Sequence, residues 1–286
     1  MHYVVNEQYK KGIDLPTIYN QCTSACYGAC YHGGLEGYFI NKNLQGASID
    51  KINNEVLTIC NDVTKMRGQC YHGLGHALML VYNGELIESL KSCDLLGNNA
   101  SLCYEGVFME NVPNTATQQN HPIKYIRVDD PLYPCNILEE RYAPKCYEYQ
   151  TSLFIYLAQS DWRKAGEYCN LVPKEYFGLC FQRIGSTTID SSFDFDYPNW
   201  VCAHLPEGLP EEYCVRGVID SFHDRFSGDN EKLIRMIDFC PTAKTAYQKA
   251  CFDQVGDFLS RVPVSTQQIA CSKIDNPEFR NLCLRR

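Results

Sequence analysis

Two histidines four residues apart, in His72-Gly73-Leu74-Gly75-His76, have the spacing best suited to chemistry in this chain. On a helix, residues i and i+4 share a face, so two imidazoles placed this way can grip one metal ion. The motif is not the zincin H-E-x-x-H, because Gly73 stands where that motif carries its catalytic glutamate. It therefore offers ligands without a protease base. His32, Glu36 and Glu105 join the pair once the cysteine-anchored segments described below are aligned, and Glu110 lies close by. Two or three histidines with a carboxylate suit Zn, Fe or Cu rather than Ca. H-x3-H also arises by chance in many helices, so no cofactor is assigned outright, and a transition metal is the one candidate.

Other catalytic schemes find no support. The chain has no G-x-S-x-G, no P-loop and no dinucleotide fingerprint. Cys26-Tyr27-Gly28-Ala29-Cys30-Tyr31-His32 has one residue too many in each gap to be the C-x-x-C-H haem motif. Asn99-Ala100-Ser101 is a formal glycosylation sequon, at a frequency near chance. His121, His204 and His223 fall outside the aligned positions and read as surface or capping residues. No catalytic residue is assigned, and binding is favoured over catalysis.

The elements that must position these residues are marked by cysteine. There are 17 Cys in 286 residues, a density hazardous in a reducing cytosol unless metal holds the thiols. Seven segments begin alike, at Cys30, Cys70, Cys103, Cys146, Cys180, Cys214 and Cys251, with Cys283 opening a truncated eighth. The repeat is about 34 residues, with insertions at about 111–134 and 187–199, the size of a helix-turn-helix unit. The later cysteines each have a partner 10 to 12 residues upstream: Cys60-Cys70, Cys93-Cys103, Cys135-Cys146, Cys169-Cys180, Cys202-Cys214, Cys240-Cys251 and Cys271-Cys283. Zinc ribbons want close C-x2-C pairs, and this uniform spacing reads instead as one disulfide per repeat. In the first repeat Cys22-Cys30 best mimics the later pairs and leaves Cys26 over.

Residues before each first cysteine look like a helix end, as in Trp162 to Tyr168, and those between the pair carry turn residues. After the second cysteine, apolar residues return at helical spacing: Phe252, Val255, Phe258, Leu259. The disulfide then closes the turn between two helices, worth roughly 2–3 kcal/mol by chain entropy. Glycines three residues after the cysteine (Gly33, Gly73, Gly106, Gly217) or five after (Gly75, Gly185, Gly256) fit close helix approach. Ile123 to Val128, in the first insertion, alternates as a short strand or an arm would. Ser191 to Pro198, in the second, reads as an aromatic, acidic loop.

Ser92-Cys93-Asp94-Leu95 with Leu102-Cys103-Tyr104, and the run from Asp161 to Cys169, resemble the cysteine-rich Sel1-like repeat proteins, relatives of the tetratricopeptide repeats. The resemblance runs from about Cys60 to Cys283. It departs from the family in its wider cysteine spacing and in lacking the LG-x-x-Y-x-x-G-x-G signature. It implies architecture and no activity: an all-α, right-handed α-solenoid of about seven helix-turn-helix repeats, one single domain over residues 1–286.

Two residues after each second cysteine stand His32, His72, Glu105, Glu148, Gln182, Arg216 and Asp253, and four further on come Glu36, His76, Asp220 and Asp257 among others. A polar column on every second helix is expected to line one surface, the concave one in a solenoid. The expected function is an extracytoplasmic binding module that recognises a protein, peptide or glycan there. The alternative is a metal-binding protein, or metalloenzyme, at its histidine end. A net charge of −8 without basic runs argues against nucleic acid, and no apolar run is long enough for a membrane span. The first residues lack a charged head and apolar stretch, so a secreted or periplasmic location is expected with no leader in the chain as numbered.

Overall fold

The computed structural model describes residues 7–22, 29–64, 67–112, 122–189, 193–226 and 229–285; the side chains of Ala29, His32, His223 and Asp224 are not among the described parts. Cys26 and His121 lie outside them. Every regular element among the described residues is helical. The chain forms two compact units, Met1–Leu153 and Phe154–Arg286.

The first unit contains α1 (Leu15–Gln21), α2 (Ala29–Asn41), α3 (Ile49–Thr58), α4 (Arg67–Val81), α5 (Leu86–Asp94) and α6 (Ala100–Glu110), and its boundary falls within α7 (Ala143–Leu157). The second contains α8 (Trp162–Cys169), α9 (Phe177–Ser186), α10 (Asp196–Ala203), α11 (Leu209–Phe226), the short α12 (Asn230–Leu233) and α13 (Met236–Phe239), α14 (Thr245–Leu259), α15 (Val264–Ser272) and α16 (Pro277–Cys283). Helix starts are set by side chains that satisfy free backbone donors. Asp14 accepts from the Thr17 amide, Ser48 from Lys51, Asp161 from Lys164, and Asn276 from both Glu278 and Phe279.

Eight disulfides join Cys22-Cys30, Cys60-Cys70, Cys93-Cys103, Cys135-Cys146, Cys169-Cys180, Cys202-Cys214, Cys240-Cys251 and Cys271-Cys283. Seven of them tie the first half of a second helix to the end of the segment before it, and the eighth ties α15 to Cys283, the last residue of α16. Second helices then pack on second helices: α2 on α4 and α4 on α6 in the first unit, α9 on α11, α11 on α14 and α14 on α16 in the second.

The sequence sets this packing in two ways. Positions four and eight after the second cysteine continue its helical stripe into the core. Leu74 and Leu78, Val218 and Phe222, and Val255 and Leu259 are all buried there. At the crossings themselves glycine replaces a side chain. A Cβ on Gly75 would meet the Cys103 carbonyl, and one on Gly106 the His72 carbonyl. In the second unit Gly185 faces the Cys214 carbonyl and Gly217 the Gln182 carbonyl, while Gly256 faces that of Leu282. Backbone lies against backbone at each of these points.

The structure departs from the sequence expectation before Cys135. Neither a first helix nor a strand forms over residues 122–138, which run through irregular backbone and bends and then turns. The alternating stretch therefore takes its arm alternative and is pinned by side chains. Asn111 Nδ2 donates to the Tyr125 carbonyl at 3.0 Å, and Glu85 accepts from Lys124 at 2.6 Å and from the Tyr125 hydroxyl at 2.9 Å.

The buried Gln150 is the counterpart on α7. It occupies the position four after Cys146, where five other repeats carry an apolar side chain, and its Nε2 donates to the carbonyls of Pro131 and Tyr133 at 2.7 and 2.9 Å. Carbonyls outside a helix need an outside donor, and Gln150 provides it. Gln150→Leu is expected to lower unfolding free energy by about 2 kcal/mol, read by urea denaturation; an unchanged midpoint would show that the turn does not depend on this pin.

In the second insertion Phe193 and Phe195 pack against Phe222, Phe226 and Phe239, with ring centroids 5.1 to 6.2 Å apart. These two phenylalanines are turned toward the core of their own unit, whereas Tyr197 stays exposed and stacks on Trp200.

Candidate functional site

His72 and His76 sit one turn apart on α4, beside the Gly75–Gly106 crossing that draws α6 within backbone contact. That closeness brings two α6 carboxylates to the two rings. Glu110 Oε1 is 2.5 Å from His76 Nδ1, and Glu105 Oε2 is 3.5 Å from His72 Nδ1. The Nε2 atoms face one another at 3.1 Å. The rings are tilted by 54° with centroids 5.0 Å apart. His76 and Glu110 are buried at 4% and 1% exposure, while His72 and Glu105 keep 13% and 21%.

On the solvent side Lys145, from α7, bridges Glu105 at 2.6 Å and Glu148 at 2.9 Å. Burial alone would raise the Glu105 carboxyl, but the hydrogen bond from His72 and the charge of Lys145 outweigh it and hold it below the usual carboxylate range. Burial by itself would lower Lys145, yet Glu148 and Glu105 hold the ammonium well above its ordinary value. The result is a continuous chain of polar groups running from the surface to the buried His76–Glu110 pair.

In the second unit the same column position behaves alike. Arg216 on α11 lies 3.9 Å from Asp253 on α14, and Asp253 lies 3.3 Å from Arg285 just past α16, two residues after Cys283. Arg216 also bonds Glu212 one turn back at 3.2 Å. Asp220 accepts from Gln254 Nε2 at 2.7 Å. Gln182 is half-buried on α9, and Asp257 is exposed on α14. Positions two after the second cysteine thus meet across neighbouring repeats at three steps. His72 to Glu105 is one such step, and Arg216 to Asp253 to Arg285 are two more.

Of the metal candidates, the structure brings His72, His76 and Glu105 together. Glu36 is buried on α2. His32 occupies the matching position on α2, with its side chain outside the described residues. Among the described residues no group of three or more His, Cys, Asp and Glu side chains stands ready to hold one ion. Glu110 carries more of the geometry than the sequence suggested. It sits seven residues after Cys103, one place off the aligned column, and the signal that could have found it is the need of a buried imidazole for a carboxylate on its second nitrogen.

His204 caps α10, its Nδ1 being 2.7 Å from the Trp200 carbonyl. No described helix is long and apolar enough to cross a membrane. No protein-family model, curated protein or solved structure matches this chain, so what it does must be argued from its own residues.

Proposed function

We propose that the chain is a secreted or periplasmic α-solenoid of about seven helix-turn-helix repeats, in the style of the Sel1-like and tetratricopeptide proteins, which recognises a protein, peptide or glycan along the polar face of its second helices. The ladder of column residues carries this reading. It pairs neighbouring repeats from His72 to Glu105 in the first unit and from Arg216 through Asp253 to Arg285 in the second, it keeps solvent exposure, and its charge alternates over those last three residues. Half-exposed ion pairs of this kind are worth at most about 1 kcal/mol each. A ligand carboxylate or hydroxyl can therefore replace Asp253 at Arg216 at small cost. The eight disulfides fit an oxidising compartment.

The test is to probe arrays of peptides and glycans with the labelled full chain, then measure any hit against Arg216→Glu, Glu148→Lys and, off the column, Glu278→Lys. A ligand of this face loses about tenfold or more in affinity with a column variant, equivalent to about 1.4 kcal/mol, and keeps it with Glu278→Lys. Arrays without a hit, or hits blind to the column variants, would overturn the reading.

A further inference from the structure

We infer that the crevice between the loops closed by Cys240–Cys251 and Cys271–Cys283 is a pocket for an arginine side chain of a partner protein. The pocket is built from residues off the polar column, so the inference goes beyond that reading and stands without it. Its volume is about 320 Å³, and its apolar wall is Ile237, Pro241, Phe252, Ile274 and Phe279. Phe252 is buried and Phe279 half-buried, and their rings stack with centroids 4.8 Å apart and 22° between the planes. A concave apolar wall with a few convergent polar groups is the general form of a ligand site.

The polar groups on the lining are chiefly acceptors. Gln248 Nε2 donates to the Pro241 and Ala243 carbonyls at 3.2 and 3.1 Å, which spends both its hydrogens and leaves Oε1 as the acceptor end. Asp238 accepts from Arg235 Nε at 3.3 Å on the exposed rim, and a carboxylate has capacity for further donors. Asp275 is exposed on a loop that Arg280 holds in place, donating to the Ile274 and Asp275 carbonyls at 2.8 and 3.4 Å. Lys273 is the cation of the lining, and its flexible stem lets it turn to solvent. An apolar stem that ends in several donors matches this set. The guanidinium is planar, weakly hydrated, stacks on aromatic rings and presents five donors.

The first unit makes this contact within its own chain. Tyr104 stands one residue after Cys103 and Tyr142 four before Cys146, the register of Phe252 after Cys251 and Phe279 before Cys283. The two tyrosine rings also touch, with centroids 5.1 Å apart. Both hydroxyls donate to Asp94, at 2.5 and 2.8 Å. Arg141 caps the group, 3.1 Å from Asp94 and 5.1 Å from the centre of the Tyr142 ring. In the second unit the same register has lost these contents. Phenylalanine has no hydroxyl, Pro241 stands in the place of Asp94, and Glu278 in that of Arg141. Glu278 pairs instead with Lys249 at 3.1 Å. The crevice that an internal arginine caps in one unit is open in the other and rimmed by carboxylates. A net charge of −8 draws cationic partners toward it.

The experiment uses the full oxidised chain and N-acetyl-arginine N-methylamide, whose blocked ends leave the guanidinium as its only charge. Saturation-transfer NMR reads binding, and the citrulline counterpart, similar in shape but uncharged, is titrated beside it. The expected result is transfer to the arginine methylenes, with citrulline weaker by about fivefold or more. Asp238→Asn/Asp275→Asn should weaken arginine binding by about fivefold, and Phe279→Ala by about three- to fivefold. Lys273→Glu should strengthen it by about threefold. Glu175→Gln, which removes an exposed carboxylate outside the pocket lining, should leave it unchanged. No transfer to arginine, equal binding of citrulline, or rim variants that bind like the parent would each overturn the inference. If near-ultraviolet dichroism shows that Phe279→Ala has not folded, the rim variants decide alone.

Discussion

Gly217→Ala is expected to destabilise the second unit by about 3 kcal/mol, the top of the range for forcing extra atoms into a packed core. The new methyl would be driven into the backbone of residue 182, with the Gln182 carbonyl the nearest atom. A clash with the end of a side chain can be relieved by a rotamer change, but a clash with backbone moves a helix. The neighbouring crossing at Gly185 fixes α9 against the Cys214 carbonyl, so neither helix can slide without losing its partner. Gly68→Ala in the first turn of α4 is the matched control. A Cβ there makes only ordinary contact with Leu102, at 3.7 Å, and alanine is the better helix former by about 1 kcal/mol. Urea melts should show a large drop for Gly217→Ala and no loss for Gly68→Ala. A Gly217→Ala midpoint near that of the parent would mean that the crossing is loose.

Loss of the disulfides is expected to have the largest effect of all. Reducing the chain in denaturant, alkylating the thiols and removing the denaturant should yield no cooperative melt by dichroism. Each bond closes a loop of 8 to 12 residues, worth about 3 kcal/mol by chain entropy. The individual values do not add, but several together exceed the 5–15 kcal/mol that separates folded from unfolded states in ordinary domains. Removing one bond, with Cys169→Ala/Cys180→Ala, should cost about 3 kcal/mol, with a further penalty because both cysteines are fully buried and leave a void. A reduced, alkylated chain that melts like the parent would show that helix packing alone suffices.

Much of this was legible in the sequence because cysteine and glycine leave little freedom of interpretation. A Cys pair at fixed separation marks a turn, and a glycine at a fixed offset marks a crossing. The polar column followed from counting two residues past each cysteine, and His72 meeting Glu105 is that count made physical. Three features were not legible. The missing helix before Cys135 depends on Gln150, a polar residue whose meaning appears only once the Pro131 and Tyr133 carbonyls are seen to need a donor. The break between α12 and α13 carries no proline or glycine to announce it. Glu110 was underrated because it stands one residue off the column, and only the relative rotation of α4 and α6 at their crossing turns it toward His76.

Seven of the eight disulfides join cysteines that are neighbours along the chain, and this has a consequence for biogenesis. From Cys70, the next cysteine downstream, Cys93, is more than twice as far along the chain as its true partner Cys60. Loop closure by itself then favours the native bond by about 0.7 kcal/mol, before the helices add their own alignment. Each staple can be set as soon as its hairpin has emerged, with no need to wait for the C-terminus. A chain wired this way suits threading through a translocation pore, oxidising in the order in which it arrives.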